Sequence, residues 1–123
     1  MAFEVFSAYG AGARDAATLR ASGYLFIPRA MMQAIGGVST KHVVLMFDKE
    51  NNQLAIRLPE EQDPEYARRE VAHEKSGTVV NVIPLLRTYK LEQPQKKLKL
   101  PAKVSDEAPW VLVDMNEAKE IPF

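Results

Sequence analysis

The amino-acid sequence predicts a β-rich α+β fold in one domain, and three observations carry this prediction. The chain has 123 residues, which is enough for one hydrophobic core but would leave two separate cores near the size where stability becomes marginal. Short apolar runs recur between turns rich in glycine, proline and asparagine, a pattern typical of strands. Two short segments with helical spacing follow prolines. We therefore expect about eight strands and two short helices in a single domain spanning residues 1–123.

Composition and charge exclude several classes of protein. Hydrophobic residues are 46% and charged residues 26%, and sixteen Lys and Arg balance sixteen Asp and Glu, as in ordinary globular domains. The chain has no cysteine, which excludes a disulfide framework and a thiolate metal site and is compatible with a cytoplasmic location. The N-terminus lacks the pattern of a signal peptide. No apolar stretch is long enough to cross a membrane, so we expect no membrane partner.

The first half of the chain predicts two hairpins around a short helix. Residues 1–13 mix aromatic residues with glycines and indicate a short strand or a packing arm. Residues 16–27 indicate two strands joined by a tight turn at Ser22 and Gly23. Pro28 then begins a helix with an apolar face, which ends at two glycines. The apolar run at 42–47 and the alternating run at 53–58 form a second hairpin.

The second half predicts the same kinds of element. After the loop 59–64, residues 66–74 and 78–82 indicate strands joined at Ser76 and Gly77, although the first could also form a helical turn. A short helix is expected over 83–91, with a proline near its start.

Two more strands are expected at the C-terminal end of the chain. They lie at 96–100 and 109–115, and Pro101 is placed at the end of the first of them.

An offset of 54 residues aligns the two halves. Residues 18–58 and 72–112 then each predict strand, strand, helix, strand and strand, which indicates an internal duplication whose halves share one core about a pseudo-twofold axis. Met32 and Leu86 are both placed inside that core. The matched residues are Ser22 and Gly23 with Ser76 and Gly77, Met31, Met32 and Ile35 with Leu85, Leu86 and Tyr89, Val44 and Met46 with Leu98 and Leu100, and Ile56 and Leu58 with Trp110 and Leu112.

The segment SGYLFIPRAMMQAIGG, followed by HVVLMF and QLAIRL, resembles the swapped-hairpin family of AbrB-type transcription factors and antitoxins. The resemblance covers residues 18–58 and implies β-rich dimers, or internally duplicated monomers, that bind duplex DNA. The chain departs from the family pattern in two places. Uncharged Met31, Met32 and Gln33 occupy helix positions that are usually charged, and the loop 37–41 lacks the usual Gly-Asp pair.

The order of elements is also similar to a second family. Residues 42–91 can be described as four strands followed by a helix, which resembles the Whirly-type fold that binds single-stranded DNA. This likeness rests on element order alone, without a shared motif. The two resemblances therefore leave open whether the nucleic acid is duplex or single-stranded.

Catalytic and metal-binding motifs are not evident. No nucleophile elbow, phosphate loop or dinucleotide motif occurs, so we expect no enzymatic activity, no cofactor and no small-molecule substrate. The chain has two histidines, His42 and His73, whereas a metal site needs three or four ligands. Surface or strand-edge positions are the simpler interpretation of both, and no metal is expected.

Charge is unevenly distributed along the chain. Residues 76–104 carry a net charge of +5, and residues 105–123 carry −4. The first segment predicts a basic stripe that contacts phosphates, and the acidic second segment could fold back over it. The alternatives are a solvated face, or lysines that protect a strand edge from aggregation. The residues proposed for the stripe are Arg87, Lys90, Lys96, Lys97 and Lys99.

Aromatic residues suggest a second part of the interface. Single-strand binders stack bases on exposed aromatic rings beside basic groups. Tyr24 lies in a strand, and Tyr66 lies close to Arg68 and Arg69, so we add these four residues to the candidate nucleic-acid site. Phe47, Tyr89 and Trp110 lie in strongly apolar surroundings and are expected in the core.

The sequence therefore predicts a small non-catalytic DNA-binding or regulatory module that holds phosphates through a basic stripe. The alternative is a protein-interaction or structural accessory protein without a role in nucleic-acid binding. A homodimer is compatible with either function, and the sequence does not choose between monomer and dimer.

Overall fold

A computed structural model describes residues 16–91, 94–106, 108–116 and 119–120. The strand or arm expected at residues 1–13 lies outside this part of the chain. Within it, no helix has the length and hydropathy needed to cross a membrane.

The first half forms the two hairpins and the helix that its sequence predicts. Turn residue Gly23 has a φ of 88°, which glycine adopts without steric cost. The elements are β1 (Ala16–Leu19), β2 (Tyr24–Pro28), α1 (Arg29–Ala34), β3 (His42–Asp48) and β4 (Gln53–Arg57).

The second half repeats this order after a single 3-10 turn at Glu65–Ala67. Residues 66–74 are mainly strand, as expected. A two-residue strand follows the last of the expected elements. The elements are β5 (Arg68–Glu74), β6 (Gly77–Asn81), α2 (Ile83–Thr88), β7 (Leu98–Val104), β8 (Val111–Asp114) and β9 (Lys119–Glu120).

The strands β1 to β8 close into an antiparallel barrel. Their order around it is β1, β2, β6, β5, β3, β4, β8, β7, and β7 pairs with β1 to complete the ring. The β-rich character, the eight main strands and the two short helices are therefore confirmed. The two helices have six residues each and do not build a layer of their own, so the barrel describes the architecture better than a layered α+β arrangement.

The pairing pattern is unchanged when β1–β4 are exchanged for β5–β8. The β1–β2 pair becomes β5–β6, the β3–β4 pair becomes β7–β8, and the β3–β5 pair becomes β7–β1. The pairs β2–β6 and β4–β8 each map onto themselves. The strand topology therefore has a pseudo-twofold axis that passes through both of these pairs, between the two strands of each.

The two helices end with the same hydrogen bonds. In α1 the N–H of Gly37 donates to the carbonyl of Met32 at 2.7 Å, and in α2 the N–H of Leu91 donates to that of Leu86 at 2.8 Å. The residue before each of these donors has a positive φ. It is 76° at Gly36 and 56° at Lys90. These equivalences follow the predicted offset of 54 residues.

The offset is not constant along the barrel. Strand β3 begins eight residues after α1 ends, whereas β7 begins ten residues after α2 ends. The offset of 54 therefore does not hold beyond the helices. Ile56 is fully buried in β4, whereas its predicted match Trp110 is half-buried and precedes β8.

One apolar core fills the barrel. Met32 is fully buried and Leu86 is 2% exposed, so the prediction that both lie inside is confirmed. Tyr89 was expected in the core but is 38% exposed, because it follows the last turn of α2 and packs on Phe47 from outside. Phe47 and Trp110 are half-buried.

Pro101 lies inside β7 rather than at its end, which corrects the prediction. Residues 98–101 of β7 pair with β1, whereas residues 102–104 pair with β8. Pro101 stands where the strand changes partner. The ladder is interrupted at this point, so a residue without an N–H is tolerated there.

The loop between the two halves is held by an ion pair. The guanidinium of Arg57 makes two hydrogen bonds to the carboxylate of Asp63, at 2.7 and 2.8 Å. Asp63 also accepts the backbone N–H of Glu60 at 2.7 Å. The hydrogen bonds from Arg57 and Glu60 lower the pKa of Asp63 well below the ordinary carboxyl range. The loop from 59 to 64 is thus closed around one ionised carboxylate.

Candidate functional site

A groove opens at the protein surface where β5 changes its partner. Residues 68–70 of β5 pair with β3, and residues 71–74 pair with β6. Strand β6 ends at Asn81, and α2 begins two residues later. A space is therefore left beside the first part of β5, and Arg69 lines it.

Two adjoining cavities make up this space. The first, of about 260 Å³, lies against β3 and α2 and is lined by Tyr66, Phe47 and Tyr89 among others. The second, of about 350 Å³, lies along β5 and β6 and is lined by Tyr24 and Glu70 among others. Three residues line both cavities. We call the whole feature the tyrosine groove, which comprises Tyr24, Tyr66, Arg69, Glu70, Asn81, Pro84 and Tyr89.

The groove collects exposed aromatic rings. Tyr66 is 84% exposed, Tyr24 40% and Tyr89 38%, and these are three of the four large hydrophobic residues that are exposed in the described part of the chain. The ring of Tyr89 packs on Phe47 with centroids 4.5 Å apart, which fixes its orientation. Aromatic area that is left open in one place indicates a surface for binding planar or apolar groups.

Arg69 is the cation of the groove, and its guanidinium makes no hydrogen bond or ion pair with any described residue. Two arginines elsewhere on the barrel form ion pairs. Arg20 binds Glu74 at 2.9 Å and Arg57 binds Asp63. A guanidinium offers five N–H donors in a planar fork that fits phosphate and carboxylate groups. The groove therefore presents an unused anion-binding group between aromatic rings.

Asn81 has a fixed side chain in the wall between the two cavities. Its Oδ1 accepts the backbone N–H of Ile83 at 3.0 Å, at the start of α2. The amide nitrogen, which makes no hydrogen bond to another described residue, then remains available as a donor. Thus Asn81 and Arg69 both contribute hydrogen-bond donors to the part of the groove that the cavities share.

The structure brings together three of the residues predicted from sequence, Tyr24, Tyr66 and Arg69. Arg68 has another role, since its Nη2 donates to the carbonyl oxygens of Glu60 and Asp63 at 3.0 and 3.3 Å. It holds the inter-half loop and does not line the groove.

Two residues of the predicted basic stripe lie near the groove. Arg87 and Lys90 are exposed and are adjacent in sequence to Thr88 and Tyr89, which line the first cavity. Their backbone therefore lies beside the first cavity, although neither side chain lines it.

The other three residues of the predicted stripe lie elsewhere. Lys96, Lys97 and Lys99 are exposed at the start of β7, which is diametrically opposite β5 in the closed order of strands. We call these three residues the lysine face. The strand β9 from the acidic C-terminal segment pairs with β7 at Leu98 and Lys99, so the chain does return to this face. The lysine face and the groove cannot contact one short ligand together.

Neither histidine lines either cavity of the groove. The ring of His73 donates through Nε2 to the carbonyl of Thr40, and its Nδ1 lies 2.9 Å from the hydroxyl of Thr78. His42 stands opposite Glu70 in the β3–β5 pair. Among the described residues no group of three or more His, Asp or Glu side chains is arranged to hold a metal ion.

The sequence did not identify four of the residues that line the groove: Glu70, Asn81, Pro84 and Tyr89. Tyr89 was assigned to the core because its neighbours are apolar. Asn81 precedes a helix whose second residue is proline, and an asparagine near a helix start indicates capping. That signal was available, but it indicates a structural role and not a place on a surface.

No protein-family model, no curated protein and no solved structure matches this chain.

Proposed function

We propose that the protein is a small, non-catalytic nucleic-acid-binding module that holds a single strand in the tyrosine groove. The observation that supports this most directly is the guanidinium of Arg69, which has no partner among the described residues and lies among the exposed rings of Tyr24, Tyr66 and Tyr89. Arginine binds the phosphate and stacks on aromatic faces. Exposed tyrosines provide platforms for bases, because every base has a π-face that can stack on them.

A single strand suits this surface better than a duplex. The bases of a duplex are stacked on one another, so exposed rings in a shallow groove have no base face to contact. Unpaired bases can be turned outward onto aromatic side chains. Arg87 and Lys90 near the groove entrance add sequence-independent attraction for the phosphate backbone.

We also infer that the two halves of the barrel arose by duplication of one unit with four strands and a helix. The invariance of the strand pairing and the matching hydrogen bonds at the two helix ends support this inference. The segment that resembles AbrB-type proteins, residues 18–58, corresponds to the first of these two units. In this proposal the groove is a later specialisation of one place on a repeated frame.

A binding experiment with a matched control tests the function. Fluorescence anisotropy of labelled ten-residue oligothymidylate, at low salt, should show binding that a duplex of equal length does not match. Tyr66→Ala should weaken binding about 5- to 150-fold, the effect of losing one stacked base. Tyr66→Phe keeps the ring and should bind like the wild type. Because Tyr66 is 84% exposed, neither change should disturb the fold.

The same experiment distinguishes the alternative function. A wild-type protein that binds neither single strands nor duplex at low salt would reject the nucleic-acid proposal. A protein-interaction module would then be the better account of the exposed aromatic surface.

A further inference from the structure

We propose that the tyrosine groove is a dinucleotide site, in which two consecutive bases occupy the two cavities and Arg69 holds the phosphate between them. This inference rests on the proposed function and specifies its ligand. The observation behind it is the arrangement of the cavities. They adjoin each other, and the residues common to both are Arg69, Asn81 and Pro84.

Each cavity has its own aromatic wall. Tyr66 and Tyr89 line the first, and Tyr24 lines the second. A base in either cavity can therefore stack on tyrosine without sharing a ring with the other base. Two separate platforms on either side of one cation match the chemistry of a base, a phosphodiester and a second base.

The charges favour a phosphate in the middle of the groove. Arg69 lines both cavities and is unpaired among the described residues. Asn81 also lines both cavities, and its side chain is fixed because Oδ1 accepts the backbone N–H of Ile83. Glu70 lines the second cavity only. A phosphate in that cavity would be repelled by the carboxylate of Glu70, whereas a neutral base would not be repelled. The anionic group of the ligand is thus directed to Arg69 and the bases to the cavities.

Competition by small ligands tests this arrangement. The probe is labelled oligothymidylate of ten residues bound to the wild-type protein. The competitors are the thymidine dinucleotide with one phosphodiester, its methylphosphonate analogue, and thymidine monophosphate. The methylphosphonate has the same two bases but a neutral linkage. We expect the dinucleotide to compete at least tenfold better than the mononucleotide, because it stacks a second base.

Two variants locate the contacts. Tyr24→Ala should weaken competition by the dinucleotide about fivefold or more. Competition by the mononucleotide should stay unchanged to within about twofold if that ligand occupies the first cavity. With the wild type, the dinucleotide should compete about tenfold better than its methylphosphonate analogue. With Arg69→Gln, the two ligands should compete equally well. The pair of ligands and the pair of proteins form a thermodynamic cycle that isolates the contact between guanidinium and phosphate.

The outcomes separate this inference from the proposed function. Equal competition by the dinucleotide and the mononucleotide, or a wild type that does not distinguish phosphodiester from methylphosphonate, overturns the dinucleotide site. The proposed function survives either result if the ten-residue probe binds and Tyr66→Ala weakens it. Failure of the probe itself to bind rejects both.

Discussion

The regions around α1 and α2 have the same backbone but different surfaces. Both helices have six residues and end in the same pattern of hydrogen bonds. At equivalent places Ile35 is 5% exposed and Tyr89 is 38% exposed, and Ala34 is replaced by Thr88. The equivalent strands β2 and β6 also end in different residues, Pro28 in the first half and Asn81 in the second. The groove of the α2 region therefore depends both on the change of partner along β5, which leaves the space, and on the polar and aromatic side chains that line it.

The comparison predicts equal importance for the two buried helix residues. Met32→Ala and Leu86→Ala should each lower the free energy of unfolding by about 2–5 kcal/mol, as is usual when a buried large side chain is truncated. Chemical denaturation of both variants measures this. A loss below about 0.5 kcal/mol for either would contradict its burial in the shared core, because so small a loss is typical of surface positions.

The residues that follow the two helices should respond in opposite directions. Gly36 and Lys90 both have positive φ, but only lysine has a Cβ that makes this conformation costly. Gly36→Ala should therefore lower the free energy of unfolding by about 1–2 kcal/mol, and Lys90→Gly should raise it by about 0.5–1 kcal/mol. A methyl group at Gly36 would lie 4.0 Å from Leu58, so strain rather than crowding is measured. A destabilising Lys90→Gly would show that the α2 end depends on the lysine side chain.

The loop between the halves should make stability depend on acid. The pKa of Asp63 is lowered in the folded protein, so its contribution is fully present above about pH 4, the ordinary carboxyl value, and is lost as the pH falls toward the folded pKa. The difference in melting temperature between wild type and Asp63→Asn should therefore shrink below about pH 4. Glu61→Gln, in the same loop, is the control. A difference that stays constant down to pH 2 would contradict the ion pair.

The smallest effect is expected on the opposite side of the barrel. Changing Lys97 and Lys99 together to Gln should leave the affinity for ten-residue oligothymidylate unchanged to within about threefold, because these residues contribute only long-range attraction that salt screens. The slope of log affinity against log salt should also stay nearly the same. If the slope flattens by about 1.4, the two lysines contact phosphates and the basic stripe predicted from sequence is the interface.

The local elements could be predicted, but their closure could not. Alternation, glycine turns and helix-initiating prolines are short-range signals, and they placed β1 to β8 and both helices near their observed positions. The pairing of β1 with β7, and the change of partner at Pro101, depend on contacts between distant segments. Nothing in a local pattern records which distant strands will be neighbours.

The site could be predicted only in part, for the same reason. Tyr24, Tyr66 and Arg69 were identified because aromatic and basic residue types indicate a binding surface. Proximity in sequence then grouped Lys97 and Lys99 with Arg87, although the barrel places β7 opposite β5. Asn81 was missed because its contribution depends on a cavity that forms only after β5 and β6 separate.

Closure of the barrel through β1 and β7 also sets how this chain must fold. Ala16 stands opposite Pro101, so this seam joins segments that are far apart in the described chain. Loop-closure entropy delays such pairings, and proteins dominated by non-local strand contacts fold in milliseconds to seconds rather than microseconds. During synthesis on the ribosome, the edge of β1 that pairs with β7 would stay unpaired until β7 has been synthesised.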